Sequence, residues 1–212
     1  MTQVQAVNDV GSLLFLVFLL TTGTLTVILA YRNLRKRPTR GLALAIVVCL
    51  CAYTVSLLGF SLTSKTRQLA LGTDKCFDDW CATVTSARSL PNPNGAAGTG
   101  LVAVTLRISN RARGAAFRPS QPRVSLVFAG GDAAPSLAAQ HEFEKQEGTQ
   151  ENLNRRLVAG DSFQTILVFE VPTAARELSV VILEGPAIFT RILAGDENSF
   201  FHKKMTYPIT LQ

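Results

Sequence analysis

Two cysteines that enclose a pair of aspartates are the residues best placed to do chemistry. Cys76 and Cys81 flank the sequence Phe-Asp-Asp-Trp. A straight strand would hold their Cα atoms roughly 17 Å apart, whereas a disulfide needs a separation of about 5.5 Å. A disulfide therefore requires a turn over residues 77–80, which aspartates favour. Free thiols, or a metal site with Asp78 and Asp79 beside two thiolates, are the alternatives, although this spacing is not a usual zinc pattern.

The other residue types that carry out catalysis are sparse. His141 and His202 are the only histidines in the sequence, and neither lies beside a nucleophilic serine or cysteine motif. The sequence contains no GxSxG, HExxH or phosphate-loop motif. We therefore expect two surface histidines, no enzyme activity, no cofactor and no bound metal.

Composition and charge point to a chain that meets lipid. Of the 212 residues, 47% are hydrophobic and only 17% are charged, against about 25% charged in a typical soluble domain. The net charge of +6 is concentrated in residues 32–40, which contain no acid. The cations of this segment are Arg32, Arg35, Lys36, Arg37 and Arg40. Because the basic charge is confined to one short loop, we expect no nucleic-acid partner.

Two uncharged segments predict a pair of transmembrane helices. Residues 11–31 and 41–63 contain no Asp, Glu, Lys, Arg or His. As a helix, the first segment would be about 31 Å long, which matches the roughly 30 Å hydrocarbon core of a bilayer. A cleaved signal peptide would begin with basic residues, and residues 1–10 have none. We expect a helical hairpin.

The basic loop predicts the orientation of this hairpin. Short loops rich in Lys and Arg remain in the cytoplasm, so residues 32–40 should be cytoplasmic. Residues 1–10 and 64–212 should then lie on the outer, or periplasmic, side of a bacterial cytoplasmic membrane. The lipid bilayer is therefore the first expected partner.

Hydroxyl residues lie inside both predicted spans and have two interpretations. They include Thr21, Thr22, Thr24, Thr26, Thr54 and Ser56. They can form a face that packs against another helix, or bond back to carbonyls of their own helix. The sequence does not decide between these two alternatives.

The pattern of residues 64–212 predicts an all-β domain. Short runs with a period of two residues occur at 80–88, 101–109, 123–129, 162–171, 178–184, 187–193 and 205–211. Residues 162–171 are apolar on both sides, which predicts a strand covered on both faces. Residues 138–147 predict a short surface helix. Short strands separated by Gly, Pro and Asn turns are typical of an antiparallel sandwich.

Three passages of this domain carry a resemblance to a known family. They are CFDDWCATVTSA (76–87), GTGLVAVTLRISNRARG (98–114) and LVAGDSFQTILVFEVPTAARELSVVI (157–182). The last passage resembles a "Pro-Gly-Glu-Ser, strand, Phe-x-Val-Pro" element, with Ala159 where the family often has Pro. The family is that of bacterial extracellular domains related to the secreted mycobacterial immunoprotective antigens.

The resemblance covers residues 68–212 and not the predicted hairpin. It implies an immunoglobulin-like β-sandwich in an extracytoplasmic location. Its motifs are turns and strand cores, so it implies no catalytic residues. The predicted fold class is two transmembrane helices followed by an all-β immunoglobulin-like antiparallel sandwich.

A candidate interaction surface combines aromatic and basic residues. Its members are Trp80, Phe200, Phe201, Lys203 and Lys204. The alternative for Trp80 is a place in the core beside the cysteines. The alternative for the other residues is one phenylalanine in the core and a solvated basic edge. An exposed patch of this composition would contact lipid headgroups or a protein partner.

Two hypotheses for the function follow from these features. The first is a membrane-anchored interaction module, specifically an accessory subunit of a larger membrane protein complex. The second is a tethered receptor for a small molecule or metal, for which Asp78, Asp79 and His202 are the candidate ligands.

Overall fold

The computed structural model describes residues 3–36, 38–77, 79–92, 98–119, 121–185 and 203–211, with side chains from residue 13 onward. The chain divides into two compact units. The helical unit contains Met1–Thr66 and Pro186–Lys204, and the β unit contains Arg67–Gly185 and Met205–Gln212.

Two helices account for the described N-terminal part of the helical unit. Helix α1 covers Gln3–Leu34 and helix α2 covers Arg40–Thr63. By length and composition, Leu13–Leu34 and Arg40–Thr63 are long and apolar enough to cross a membrane. Helix α1 extends beyond residues 11–31 at both ends. At the C-terminal end, no Pro or Gly stands between residues 24 and 37 to stop it.

Aromatic rings join the two helices. The Phe18 and Tyr53 rings stack with centroids 4.3 Å apart, and Phe15 lies 6.0 Å from the same tyrosine ring. Many other side chains of both helices, including Leu13, Val27 and Val55, are exposed in the isolated chain. The hairpin thus presents an extensive apolar surface.

The hydroxyl groups of the helices bond to their own backbone. In α1, Thr21, Thr22, Thr24 and Thr26 each donate to the carbonyl four residues earlier, at 2.6–2.7 Å. In α2, Thr54 and Ser56 donate in the same way at 2.9 Å. This favours the interpretation in which the hydroxyls satisfy themselves within each helix.

The β unit consists of two antiparallel sheets. Its strands are β1 Lys75–Phe77, β2 Trp80–Leu90, β3 Thr99–Asn110, β4 Arg123–Phe128, β5 Gly131–Ala133, β6 Ser162–Pro172, β7 Ser179–Leu183 and β8 Tyr207–Pro208. The first sheet has the order β1-β2-β3-β6 and the second β5-β4-β7-β8. Two apolar helices followed by two antiparallel sheets confirm the predicted fold class.

The core lies between the inner faces of the two sheets. From β3 it takes Val102, Val104, Leu106 and Ile108, as the alternation of residues 101–109 predicts. On β2 the register to β3 shifts between Val84 and Ser86. The extra residue allows the strand to keep buried residues on the same side before and after the bulge.

Strand β6 is covered on both faces, as its apolar pattern predicts. Phe163 and Phe169 belong to the core between the sheets, whereas Val168 on the opposite face is also fully buried. Helix α3, Leu137–Glu147, contacts this strand. Its position agrees with the short helix predicted over residues 138–147, and its Phe143 is buried.

The shortest elements differ most from the sequence predictions. Strands β1 and β5 have three residues each, too few for alternation to reveal them. Strand β8 is limited to Tyr207–Pro208 because Pro208 has no backbone N–H for a ladder. The run predicted at 187–193 lies outside the described residues.

Asn110 closes the turn that follows β3. Its side chain is buried and donates to the carbonyls of Ala115 at 2.9 Å and Leu157 at 3.0 Å. Its Oδ1 accepts from the Ala112 amide at 2.8 Å. One side chain therefore organises two loops.

We expect Asn110→Ala to lower the free energy of unfolding of the β unit by about 2 kcal/mol, because the buried Leu157 carbonyl and two part-buried backbone groups lose their partner. Trp80 is the only tryptophan in the chain, so its fluorescence during denaturant unfolding of the full chain in mild detergent reports on this unit. Asn154→Ala, at an exposed position, is the control and should change little. Equal effects of the two substitutions would contradict the role of Asn110.

Candidate functional site

A disulfide joins the two cysteines across the β1–β2 hairpin. Cys76 and Cys81 are paired residues of the two strands, with their Cα atoms 3.9 Å apart. The chain reverses between Phe77 and Trp80, where the sequence predicts a turn. Disulfide sulfurs are not thiolate ligands, so the structure favours the disulfide over the alternative of a metal site with two thiolates. Among the residues that the structure describes, no group of three potential metal ligands occurs.

Trp80 is a core residue. Its side chain is fully buried and stacks on Phe77 with ring centroids 4.6 Å apart. Its Nε1 donates to Oε1 of Glu184 at 2.7 Å. The proposal that Trp80 forms part of an exposed interaction surface is therefore wrong, because the hairpin turns this ring inward and Glu184 satisfies its N–H.

Lys75 links the two sheets from inside the sandwich, which the sequence did not indicate. The residue is only 4% exposed. Its Nζ donates to the Ile182 carbonyl of β7 at 2.7 Å and lies 5.2 Å from the centroid of the Phe77 ring. A lysine between Asp74 and Cys76 carries no sequence signal for burial. Only the pairing of β1 with β2 shows that its side chain faces inward.

A charged cluster lies on the outer face of the first sheet. Thr83 and Arg107 are cross-strand partners on β2 and β3, and Asp74 immediately precedes β1. The Asp74 carboxylate accepts hydrogen bonds from Thr83, from Arg107 at 3.1 Å and from Arg111. Burial raises the pKa of Asp74, but these three partners outweigh it and hold the pKa below its ordinary value of 3.8.

A polar cleft of about 330 Å³ lies beside β6. Three of its lining residues, Pro122, Leu153 and Leu167, are apolar. The others carry amide, carboxylate or hydroxyl side chains. The residues are Gln121, Pro122, Gln140, Glu144, Gln150, Glu151, Asn152, Leu153, Asn154, Thr165 and Leu167. Several of these groups already bond to the protein; Gln140, for example, donates to Glu144 at 3.1 Å. The sequence does not reveal this cleft because its residues come from separate segments.

The cations of the predicted cytoplasmic loop surround the turn between the helices. Arg32 lies in the last turn of α1, and the Arg35 guanidinium lies 5.6 Å from the Tyr31 ring centroid. Lys36 has a positive φ of 51°, consistent with a reversal of the chain. Arg40 begins α2, and Arg37 lies outside the described residues.

The remaining candidates are only partly described. Lys203 and Lys204 are exposed, as is His141 on α3. Asp79 accepts a hydrogen bond from the Arg111 amide through its backbone carbonyl, at 2.7 Å. Asp78, Phe200, Phe201 and His202 lie outside the described residues.

Comparisons with known proteins give matches among solved structures only. No protein-family model and no curated protein matches the chain. The chain is similar to an uncharacterized β-sandwich protein from Clostridium difficile 630, with 8% identity, a TM-score of 0.41 and coverage of 69% of this chain and 96% of that one.

Two further structures show a similar extent of likeness. One is MPT63, a secreted protein from Mycobacterium tuberculosis, with 14% identity, a TM-score of 0.41 and coverage of 58% of this chain and 93% of that one. The other is a candidate lipoprotein from Staphylococcus aureus, with 10% identity, a TM-score of 0.36 and coverage of 55% and 82%. A secreted mycobacterial protein is thus among the matches.

We expect Asp74→Asn to destabilise the β unit by about 1 kcal/mol at pH 7, since two of its partners are arginines that are partly exposed and screened by solvent. A lowered pKa means that this contribution is present above pH 3.8 and is lost as the pH falls through the folded-state pKa.

The difference between wild type and variant, measured by Trp80 fluorescence, should therefore shrink below pH 3.8. Asp132→Asn, at an exposed position, is the matched control. A difference that stayed constant down to acid pH would contradict the ion cluster.

Proposed function

We propose that the protein is a membrane-anchored extracytoplasmic interaction module that serves as an accessory subunit of a larger membrane protein complex. The observation that carries this proposal is the apolar surface of the hairpin. Side chains such as Leu20, Val27, Leu44 and Val55 are 63–70% exposed, and such a surface needs a cover of lipid or protein. The proposal assigns the chain no catalytic activity, no cofactor and no nucleic-acid partner.

The spans themselves favour an anchoring and packing role over transport. Residues 11–31 and 41–63 contain no ionisable acid or base of the kind that proton or ion pathways use. A domain can be anchored by one span, so the second adds surface for helix packing. Gly23 and Gly59 have nothing within 4 Å of the position where a Cβ would stand. Another helix can approach closely at such sites.

The proposal predicts a defined assembly around the full-length protein. After extraction from its own membrane in a mild detergent, the native mass should exceed that of the chain, with other membrane proteins co-migrating and identified by mass spectrometry. Gly23→Leu should reduce this assembly because the larger side chain blocks close approach of a helix.

Ile28→Leu is the matched control, since it keeps an apolar residue on a different face of α1. A monomer or a small homo-oligomer in the wild type would contradict the accessory-subunit role. The polar cleft beside β6 would then favour the alternative of a tethered receptor for a small polar molecule.

The proposed topology predicts which side of the membrane each loop faces. In a background with Cys49→Ala and Cys51→Ala, Lys36→Cys should react with an impermeant maleimide only from the cytoplasmic side. Thr66→Cys, three residues after the end of α2, is the control and should react only from outside. Labelling of position 36 from outside would contradict the topology.

A further inference from the structure

We infer that the polar cleft beside β6 binds a small hydroxylated amine, and that the Glu144 carboxylate pairs with the ammonium group of this ligand. The cleft has a volume of about 330 Å³, which is at the lower end of the range for small-molecule sites. All of its lining residues belong to the β unit. The inference therefore goes beyond the proposed function and does not depend on the membrane complex.

Hydrogen bonds to β6 hold the polar wall of the cleft in place. Gln140 of α3 accepts from the Val168 amide and donates to the Ile166 carbonyl, both at 3.0 Å. Gln150 accepts from the Ile166 amide at 3.0 Å. The helix and the segment that follows it are thereby fixed to a strand of the first sheet. Because this wall is already ordered, a ligand does not have to order it on binding.

The same wall orients the carboxylate of Glu144. Its Oε1 accepts from Gln140 Nε2 at 3.1 Å and from the Gln150 amide at 3.4 Å. The residue is partly buried. Both hydrogen bonds go to Oε1, and within the described part of the chain Oε2 accepts none. The second oxygen is therefore available to a ligand in the cleft.

The charge of Glu144 has no cationic partner among the described residues. The described lining of the cleft contains no Lys or Arg. Lys145, the next residue on α3, bonds instead to Glu142 at 2.7 Å. Glu151, the second carboxylate of the lining, is already paired with Arg155 at 2.5 Å. This favours a ligand with an ammonium group, because charge-assisted hydrogen bonds to a carboxylate are stronger than neutral ones.

Two amide side chains complete the polar part of the cleft. Gln121 and Asn154 line it and are exposed, and their side chains form no hydrogen bond within the described residues. Each amide has an acceptor oxygen and two N–H donors, which match hydroxyl groups. Pro122, Leu153 and Leu167 supply apolar contact for the carbon skeleton of a ligand. A few polar groups on an apolar lining are typical of small-molecule sites.

The test uses three sugars that differ mainly in charge. Glucosamine carries an ammonium group at about pH 6, glucose is neutral and glucuronate is anionic. Their dissociation constants for the full-length protein are measured by ligand-observed NMR in a polyoxyethylene detergent, whose headgroup has neither a sugar nor an amine. Glucosamine should bind at least about tenfold more tightly than glucose, because its ammonium group forms a charge-assisted hydrogen bond. Glucuronate should bind more weakly than either.

Glu144→Gln tests the carboxylate. The new amide oxygen can still accept from Gln140 and Gln150, so the wall should keep its arrangement. The affinity for glucosamine should fall about tenfold, to that of glucose, whereas the affinity for glucose should change less. Glu142→Gln removes the same charge from an exposed position of α3 outside the cleft lining and should leave both affinities unchanged.

Asn154→Ala tests the contact with hydroxyl groups. It should weaken the binding of glucosamine and of glucose by a similar factor, about three to ten, and leave the preference between them unchanged. Because the Asn154 side chain is exposed, this variant should remain folded by Trp80 fluorescence. It therefore provides a second test of the cleft if Glu144→Gln proves unstable.

The possible outcomes either support the inference or overturn it. A wild-type dissociation constant for glucosamine above about 10 mM overturns it. Equal affinities for glucosamine and glucose, or a preference that persists in folded Glu144→Gln, also overturn it. A preference that is lost in Glu144→Gln and kept in Glu142→Gln supports it. None of these results depends on the native mass of the assembly, so failure of the accessory-subunit role would leave the inference intact.

Discussion

The β unit depends on the β1–β2 hairpin, because side chains of this hairpin form hydrogen bonds to β7 and to Glu184, which follows it. The Cys76–Cys81 bond closes the hairpin, and the turn directs Trp80 inward onto Phe77. Lys75 reaches across the interior to the Ile182 carbonyl of the second sheet. Buried polar groups are tolerated only when they find partners. The lysine and the tryptophan therefore require β7 and Glu184 to lie where they do.

A second constraint acts on β6, the outermost strand of its sheet. An uncovered edge would leave backbone groups ready to pair with another chain. Gln140 accepts from the Val168 amide and donates to the Ile166 carbonyl, and Gln150 accepts from the Ile166 amide, all at 3.0 Å. Glutamine side chains thus replace a neighbouring strand. The same two residues line the polar cleft. Part of the polar lining of the cleft therefore also protects the edge of β6.

The helical unit differs from the β unit because its exposed surface determines what it can contact. Threonine hydroxyls are satisfied within each helix, and Phe18 stacks on Tyr53 at the contact between α1 and α2. The surface that the helices leave uncovered is apolar, and the connection between them is basic. In the proposed function, this hairpin tethers the β unit to the membrane.

The sequence by itself determined the elements that follow from periodicity and composition. Uncharged runs of more than 20 residues specified the two helices, and alternation specified β2, β3, β4, β6 and β7, because burial of one face repeats every second residue. The sequence also indicated the turn that a disulfide between Cys76 and Cys81 requires. Only the tertiary structure decided that Trp80 is buried, that Lys75 bridges two sheets, and that Gln140 bonds to β6. These contacts join residues far apart in the chain, and local spacing carries no information about which distant segment will supply a partner.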